Sequence, residues 1–564
     1  MLVMVLFSCG GSDDKVEINS KNLNEASPYV ERSEIEEKTP SFQEKLDSLK
    51  GELQAFFEFK VPGERYVLDN IELYSSEVLP RAYINKTFSP IWINDEENAI
   101  EKIEDFIAYL DNLNYHGLDK KDYHCEKIVE NFNQLKEDGL STCDLPHLLK
   151  LEVFLSDAFL LLASHLYNGK FDPSELEVQY GIQRGKPELN LDQKLYKALN
   201  AESFESYMTV FYPQSHGYQK MVEKAVLFDS IKEKDEQIQL PRNYNFSSLK
   251  EDTVILEAIY GKLNLLGYVE QGFETFIADT SVYHDKIRSF QKYHGLNIDG
   301  EIGSLTFEAI NTPISHRLSQ LYINMERLRW LPEKEDEYRV VVNIADYTLD
   351  LIDGADTIIS MRTIVGRNFR QTPVFDSKMT YLVFSPTWTV PPGILRNDVL
   401  PAIKKDRGYL AKNNMVVLDR SGGRVDASSI DWKNISGSNF PYIIRQMPGP
   451  NNALGRVKFM FPNSYSVYLH DTPSRNLFAR DERTFSSGCI RIEKPLELAK
   501  ILLDDSSSWN MERVKAATNL DRERTVLLKR PVKVYLYYLT AWGGENFRKD
   551  IYGRDERKIK WFDL

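Results

Sequence analysis

Tyr338-Arg339-Val340-Val341-Val342-Asn343-Ile344-Ala345-Asp346-Tyr347-Thr348-Leu349-Asp350-Leu351-Ile352-Asp353-Gly354 is the stretch on which the reading of this chain turns. Tyr338, Val340, Val342 and Ile344 recur at every second position, so one face of an extended chain is apolar. Ala345-Asp346 and Asp353-Gly354 then mark turns, and Thr348 to Ile352 lies between them as a second strand. Ile358 to Val365 continues the pattern, with further runs at Thr380 to Val390 and Tyr465 to Leu469. These runs predict a mostly β domain over 336–545, followed by a tail at 546–564. Within it, 391–449 is rich in Pro, Gly, Asn and charge and reads as an inserted flap or subdomain rather than sheet.

Upstream of Asp336 the period is helical. Residues 41–248 read as a mainly helical domain, in which Leu148 to Tyr167 is strongly apolar and stops at Asn168-Gly169. Asp157 and Ser164 interrupt its most apolar part, Val153 to Leu166, which makes it a buried helix rather than a membrane span. Six of the nine histidines lie between His116 and His284 without metal-ligand spacing, and read as structural or surface groups. Residues 249–313 form a smaller unit. Ile255, Ile259, Leu263 and Leu266 share a helix face, Ile287, Phe290 and Gln291 lie on a second helix, and Ser304 can cap a third through Ile310. The order Phe290-Gln291, Gly295-Leu296, Asp299-Gly300, Gly303, Thr306 resembles the small three-helix peptidoglycan-binding domain. Over 314–335, Ile314, Leu318, Leu321, Met325 and Leu328 make one apolar stripe, read as a connecting helix.

At 564 residues the chain is too long for a single core, and its composition, 42% hydrophobic and 27% charged, is that of a globular protein. A formal charge of −14 argues against a nucleic-acid partner. Met1 to Phe7 is a short apolar run ending at Ser8-Cys9-Gly10-Gly11. It resembles a bacterial lipoprotein signal (1–9) in which Cys9 is acylated, though no Lys or Arg precedes the run. That resemblance implies a membrane anchor on Cys9, a polar tether at 10–40 and a periplasmic location. Cys125 and Cys143 read equally as a disulfide or as two free buried thiols. Cys489 is left alone in its region.

Chemistry concentrates around that residue. A strand is expected to deliver His470 at its end, and Cys489 comes nineteen residues later in Ser486-Ser487-Gly488-Cys489-Ile490-Arg491. Acyl transfer by a thiol needs a thiolate, a base and donors for the oxyanion. Gly488 leaves room for backbone N–H groups to approach a carbonyl. From Pro332 to Leu564 there is one histidine and one cysteine, so Cys/His chemistry in this domain has no other residues to use.

His470 through Arg491, ending Ser-Ser-Gly-Cys-Ile-Arg, resembles the signature of the L,D-transpeptidase catalytic domain. The likeness is to the large periplasmic branch, which adds a helical scaffold domain, a peptidoglycan-binding domain and a capping subdomain over the catalytic groove. Val365-Gly366-Arg367, Gln371-Thr372-Pro373, Asn452 to Arg456, Lys458-Phe459 and Phe461-Pro462-Asn463 support it, as do Tyr115 to Asp119 and Tyr167 to Pro173 in the scaffold region. Ser487 stands where many members carry histidine, as in the large branch. The resemblance implies a multidomain α+β architecture, Cys489 as nucleophile, His470 as general base, and the backbone of Ser487, Gly488 and Cys489 as oxyanion donors. Arg491 would order the loop or meet a substrate carboxylate. Tyr468, Trp388 and Arg456 are candidates for the groove wall, with core packing as the alternative for Trp388. The implied partners are peptidoglycan stem peptides as donor and acceptor, with no metal or organic cofactor. An L,D-carboxypeptidase with water as acceptor and a non-catalytic wall-anchoring lipoprotein remain as alternatives.

Overall fold

Leu145–Asn168 folds as one helix (α1), capped by the Asp144 carboxylate on the His147 N–H, and it is buried along nearly its whole length. The structure, a computed structural model, describes residues 41–58, 64–94, 98–176, 179–503 and 508–559. The leader, Cys9 and the tether lie outside the described residues. The acids that interrupt α1 act as anchors for neighbouring loops. Glu152 accepts backbone N–H groups of Ile91, Trp92 and Ile93, and Asp157 those of Tyr74 and Ser75. A buried carboxylate is tolerable only with such donors. The helical region is not wholly separate from the β domain, because Tyr180–Gly181 (β1) pairs in parallel with a strand of the C-terminal sheet. Tyr218–Glu236 (α2) ends the region.

The small unit has four helices rather than the three expected: Thr253–Leu265 (α3), Phe273–Ala278 (α4), Thr280–Tyr293 (α5) and Ser304–Asn311 (α6). Ser304 does not cap α6; Gly303 holds the cap position and no side chain bonds there. Tyr244 and Phe246 pack on Phe307, so the unit begins before residue 249.

The connector Ile314–Arg329 (α7) corrects the expectation of a single apolar stripe. Arg317, Asn324, Glu326, Arg327 and Arg329 are buried along with Leu321, Met325 and Leu328. It packs among α1, α2 and the C-terminal elements, so every face needs a partner. Arg329 donates to Glu326, to the His116 carbonyl and to the Tyr218 hydroxyl, and Arg327 pairs with Asp555 at 2.6 Å.

The C-terminal domain is mostly β. Tyr338–Asn343 (β2), Thr348–Asp353 (β3) and Asp356–Gly366 (β4) form the expected meander. Val374–Phe384 (β5) comes next, and its end starts the insertion. Trp388–Thr389 (β6), Met415–Leu418 (β7), Arg424–Val425 (β8) and Ile443–Gln446 (β9) form a separate sheet in the order β8-β7-β9-β6. Residues 391–449 therefore do contain sheet, contrary to expectation, since the short runs around Met415-Val416-Val417-Leu418 lie hidden between turn residues. This subdomain has its own core, including Val399, Leu400, Ile403, Trp432 and Ile444, against which Trp388 packs.

The chain re-enters the main sheet through Val457–Met460 (β10), Leu469–His470 (β11), Thr484–Ser486 (β12), Ile490–Ile492 (β13) and Arg524–Tyr537 (β14). The order is β10-β11-β13-β4-β3-β2-β14-β5-β1, with β12 on β4, and β10 also pairs with β5. The last pairing closes eight strands on themselves, which removes exposed edges. The described part of the expected tail, 546–559, is folded. Asn546–Phe547 pairs with Ala541–Trp542, and the helix Arg554–Ile559 (α8) packs on α7.

Candidate active site

Two short strands set the site. Strands β11 and β13 run parallel, with Leu469 opposite Ile490 and His470 opposite Arg491. Leu469 and Ile490 are wholly buried in the core. Alternation then puts Tyr468, His470, Cys489 and Arg491 on the other face. On the far side of β11, Lys458 of β10 lies opposite His470 and adds another base to that face. Arg456, in the turn before β10, is exposed. Cys489, His470, Arg491 and Lys458 thus come from three adjacent strands.

The strand expected over Tyr465 to Leu469 is shortened by a turn with a role. The Asn463 side chain accepts the N–H groups of Tyr465 and Val467 and donates to the carbonyls of Phe461 and Val467. This holds Ser466 at φ 57°, a left-handed conformation uncommon for serine. The Ser466 carbonyl accepts the Cys489 thiol at 3.7 Å. Burial pushes the thiol up from its ordinary value, opposed by hydrogen bonds from the Tyr468 N–H and hydroxyl and by the Arg491 charge. Tyr468 is itself pushed up by burial and by the adjacent sulfur, so it remains a donor.

His470 is 4% exposed, and its Nδ1 lies 2.6 Å from the Asp471 carbonyl. A carbonyl only accepts, so Nδ1 carries the proton and Nε2 is left as the basic nitrogen. Burial, then the Arg491 charge, hold the imidazole down to about 3. It is neutral at neutral pH and does not form a resting ion pair with the thiol. Asp471 accepts the Arg456 N–H at 2.9 Å, and its carboxylate packs where a Cβ on Gly455 would come within 2.4 Å. Gly455, at φ 62°, is thus required for the approach that fixes the strand end.

The loop that carries Cys489 is braced from behind. Gly488 sits at φ 113°, and its carbonyl accepts the Thr372 hydroxyl at 2.9 Å. Thr372 also accepts the Gly366 N–H, while the Tyr552 hydroxyl donates to the Gly366 carbonyl at 2.6 Å. Arg554 holds Gln371 and the Thr372 carbonyl. Tyr552 and Arg554 lie in the segment read as a tail, and nothing local in their sequence signals this role.

The Gly488 N–H is turned inward onto the Ser486 hydroxyl at 3.1 Å. Of the three expected donors, the N–H groups of Ser487 and Cys489 are left without a partner among the described residues. Arg491 is half-buried, carries no carboxylate partner among the described residues, and leaves its Nε unbonded. Trp388 belongs to the insertion core rather than the groove. Cys125 and Cys143 are both free and buried, so the disulfide reading is set aside; burial pushes Cys143 up to about 11.

The barrel and its Cys/His strand pair define a class that sequence comparison bears out. Residues 337–534 match the family described as the L,D-transpeptidase catalytic domain, and residues 77–224 match the scaffold domain. A curated Haemophilus influenzae protein, provisionally named an L,D-transpeptidase, is 39% identical over 254 residues, 44% of this chain and 51% of the relative. The chain thus spans about half the length of the curated relative it matches.

Proposed function

We propose that this protein is an L,D-transpeptidase that forms 3→3 cross-links between peptidoglycan stem peptides through a thioester on Cys489. The observation that carries this reading is the parallel pairing of β11 and β13, with Cys489 beside Tyr468 and His470 on one face and the N–H groups of Ser487 and Cys489 unpartnered among the described residues. Cys489 attacks the carbonyl between the third stem residue and terminal D-Ala. His470 Nε2 takes the thiol proton as the S–C bond forms, because neither group is charged at rest. The two free N–H groups hold the oxyanion. Collapse breaks the C–N bond and expels D-Ala, whose amine takes the proton from His470. The side-chain amine of a neighbouring stem then attacks the thioester, forms the new amide and returns the sulfur. Water in place of that amine gives the carboxypeptidase outcome.

The remaining parts fit the same reading: residues 249–313 as a peptidoglycan-binding unit, 391–449 as a cap that excludes water, and Cys9 as a lipid anchor in the periplasm. Arg491 serves the thiolate and a substrate carboxylate, which its lack of an acid partner among the described residues supports. Incubation with a carbapenem, read by intact mass, tests the core of the proposal. The expected result is one adduct on the parent and none on Cys489→Ala; no adduct on either would sink it. Product analysis with tetrapeptide stems separates cross-linking from hydrolysis.

A further inference from the structure

Arg370 stands beside the catalytic loop yet belongs to none of the groups assigned above. It closes the short turn Asn368–Arg370 between β4 and β5, where its N–H bonds the Arg367 carbonyl at 2.8 Å. Its backbone carbonyl lies against Gly366, where a Cβ would come within 2.1 Å, and 3.9 Å from where Gly488 would carry one. Its side chain reaches the same loop independently: Nη1 donates to the Ser487 hydroxyl at 2.9 Å. The same nitrogen lies 3.5 Å from the Asp398 carboxylate of the insertion. Phe369, 74% exposed, packs its ring 5.7 Å from the guanidinium.

The two contacts differ in strength. A charged donor on a hydroxyl at 2.9 Å is a firm bond, whereas a pair at 3.5 Å whose acid is more than half exposed is weak and easily broken. Ser487 is exposed, has no regular secondary structure of its own and supplies one of the two free N–H groups. Without Arg370 its hydroxyl has no protein partner among the described residues.

We infer that Arg370 is a positioning residue: it fixes Ser487, and through it the oxyanion N–H, and its second contact with Asp398 makes that fixation depend on the seating of the insertion. The inference rests on the proposed thioester chemistry and deepens it. Both contacts run from one nitrogen of a planar guanidinium, whose N–H bonds point in fixed directions, so one rigid side chain can meet groups on two elements. Lysine offers a single flexible point and would hold Ser487 only in part.

The test separates oxyanion positioning from thiol access. In the full-length protein, Arg370→Ala, Arg370→Lys and Asp398→Ala are compared for the rate of carbapenem acylation of Cys489 and for its alkylation by iodoacetamide, which forms no oxyanion. Arg370→Ala is expected to slow acylation at least tenfold with alkylation within twofold of the parent. Arg370→Lys should recover part of the loss, and Asp398→Ala should slow acylation about two- to threefold. Equal losses in acylation and alkylation, or no loss in Arg370→Ala, would overturn the inference. An unchanged Asp398→Ala beside a slowed Arg370→Ala would overturn the link to the insertion. A parent that is alkylated but never acylated would instead overturn the reading of the site, and the inference with it.

Discussion

Arg329 and Arg491 are the same side chain placed on opposite terms. Arg329, in the connector, is wholly buried and donates to a carboxylate, a carbonyl and a hydroxyl. Arg491, beside the thiol, is half-buried with no acid partner among the described residues, and like Arg329 it leaves its Nε unbonded. Around α7 Arg327 is paired with Asp555 and Arg329 with Glu326, and removing one partner leaves a buried charge. Arg491 acts on the Cys489 thiol, and Arg491 and Lys458 both act on His470, although the chain carries a net charge of −14. The unpaired cation beside Cys489 fits the substrate carboxylate of the proposed function, whereas the paired charges around α7 mark a joint.

That contrast can be broken at His470. Replacement by Ala should lower acylation of Cys489 by roughly 10²–10⁴-fold, with thermal stability nearly unchanged. A comparable loss of stability would place the site among the structural centres. Because His470 is held down to about 3 and the thiol is pushed up, the parent's rate should keep rising through the alkaline range. An inflection near about pH 6.5, the ordinary histidine value, in the pH–rate profile would refute the neutral resting pair.

At α7 the expectation is reversed. Arg329→Met leaves Glu326 buried without its cation and should cost about 3–5 kcal/mol, measured as a shift in urea midpoint. Acylation per folded molecule should be unchanged, and a specific loss of rate would show that the connector also tunes the site.

Histidine sharpens the comparison, because both regions keep it neutral. Burial holds His116, in the helical region, and His470 each down to about 3, with Arg329 and Arg491 respectively adding to the effect. The unfolded chain takes up these protons near about pH 6.5 and the folded chain does not. Stability is therefore present above that value and lost as pH falls toward 3, by about 1.4 kcal/mol per pH unit per histidine. His470→Asn should flatten the acid slope by one such share, measured by denaturant titration between about pH 7 and pH 5.

Smallest is Ser304→Ala. With no cap bond to lose, its effect should stay within about 0.5 kcal/mol; a larger cost would restore the cap expected from sequence.

How much was legible depends on how local each signal is. The β meander showed because alternation is written over three successive runs, and α1 showed because its apolar face continues past its own polar residues. The Cys/His pair could be named because the domain offers one of each. The sheet of the insertion was missed because its strands are two to four residues long, too short for a period. The turn at Ser466 was missed because Val467 and Leu469 continue the alternation that Asn463 interrupts.

The sequence by itself determined the helical and β portions, the connector and the one thiol and one imidazole that the β domain offers, since these depend on periodicity and on which residue types exist. Only the tertiary structure decided that β11 pairs in parallel with β13, that the last residues brace the catalytic loop, and that one of three expected oxyanion donors is spent on Ser486. Register, closure and hydrogen-bond competition are relations between segments distant in sequence, and no single segment encodes them.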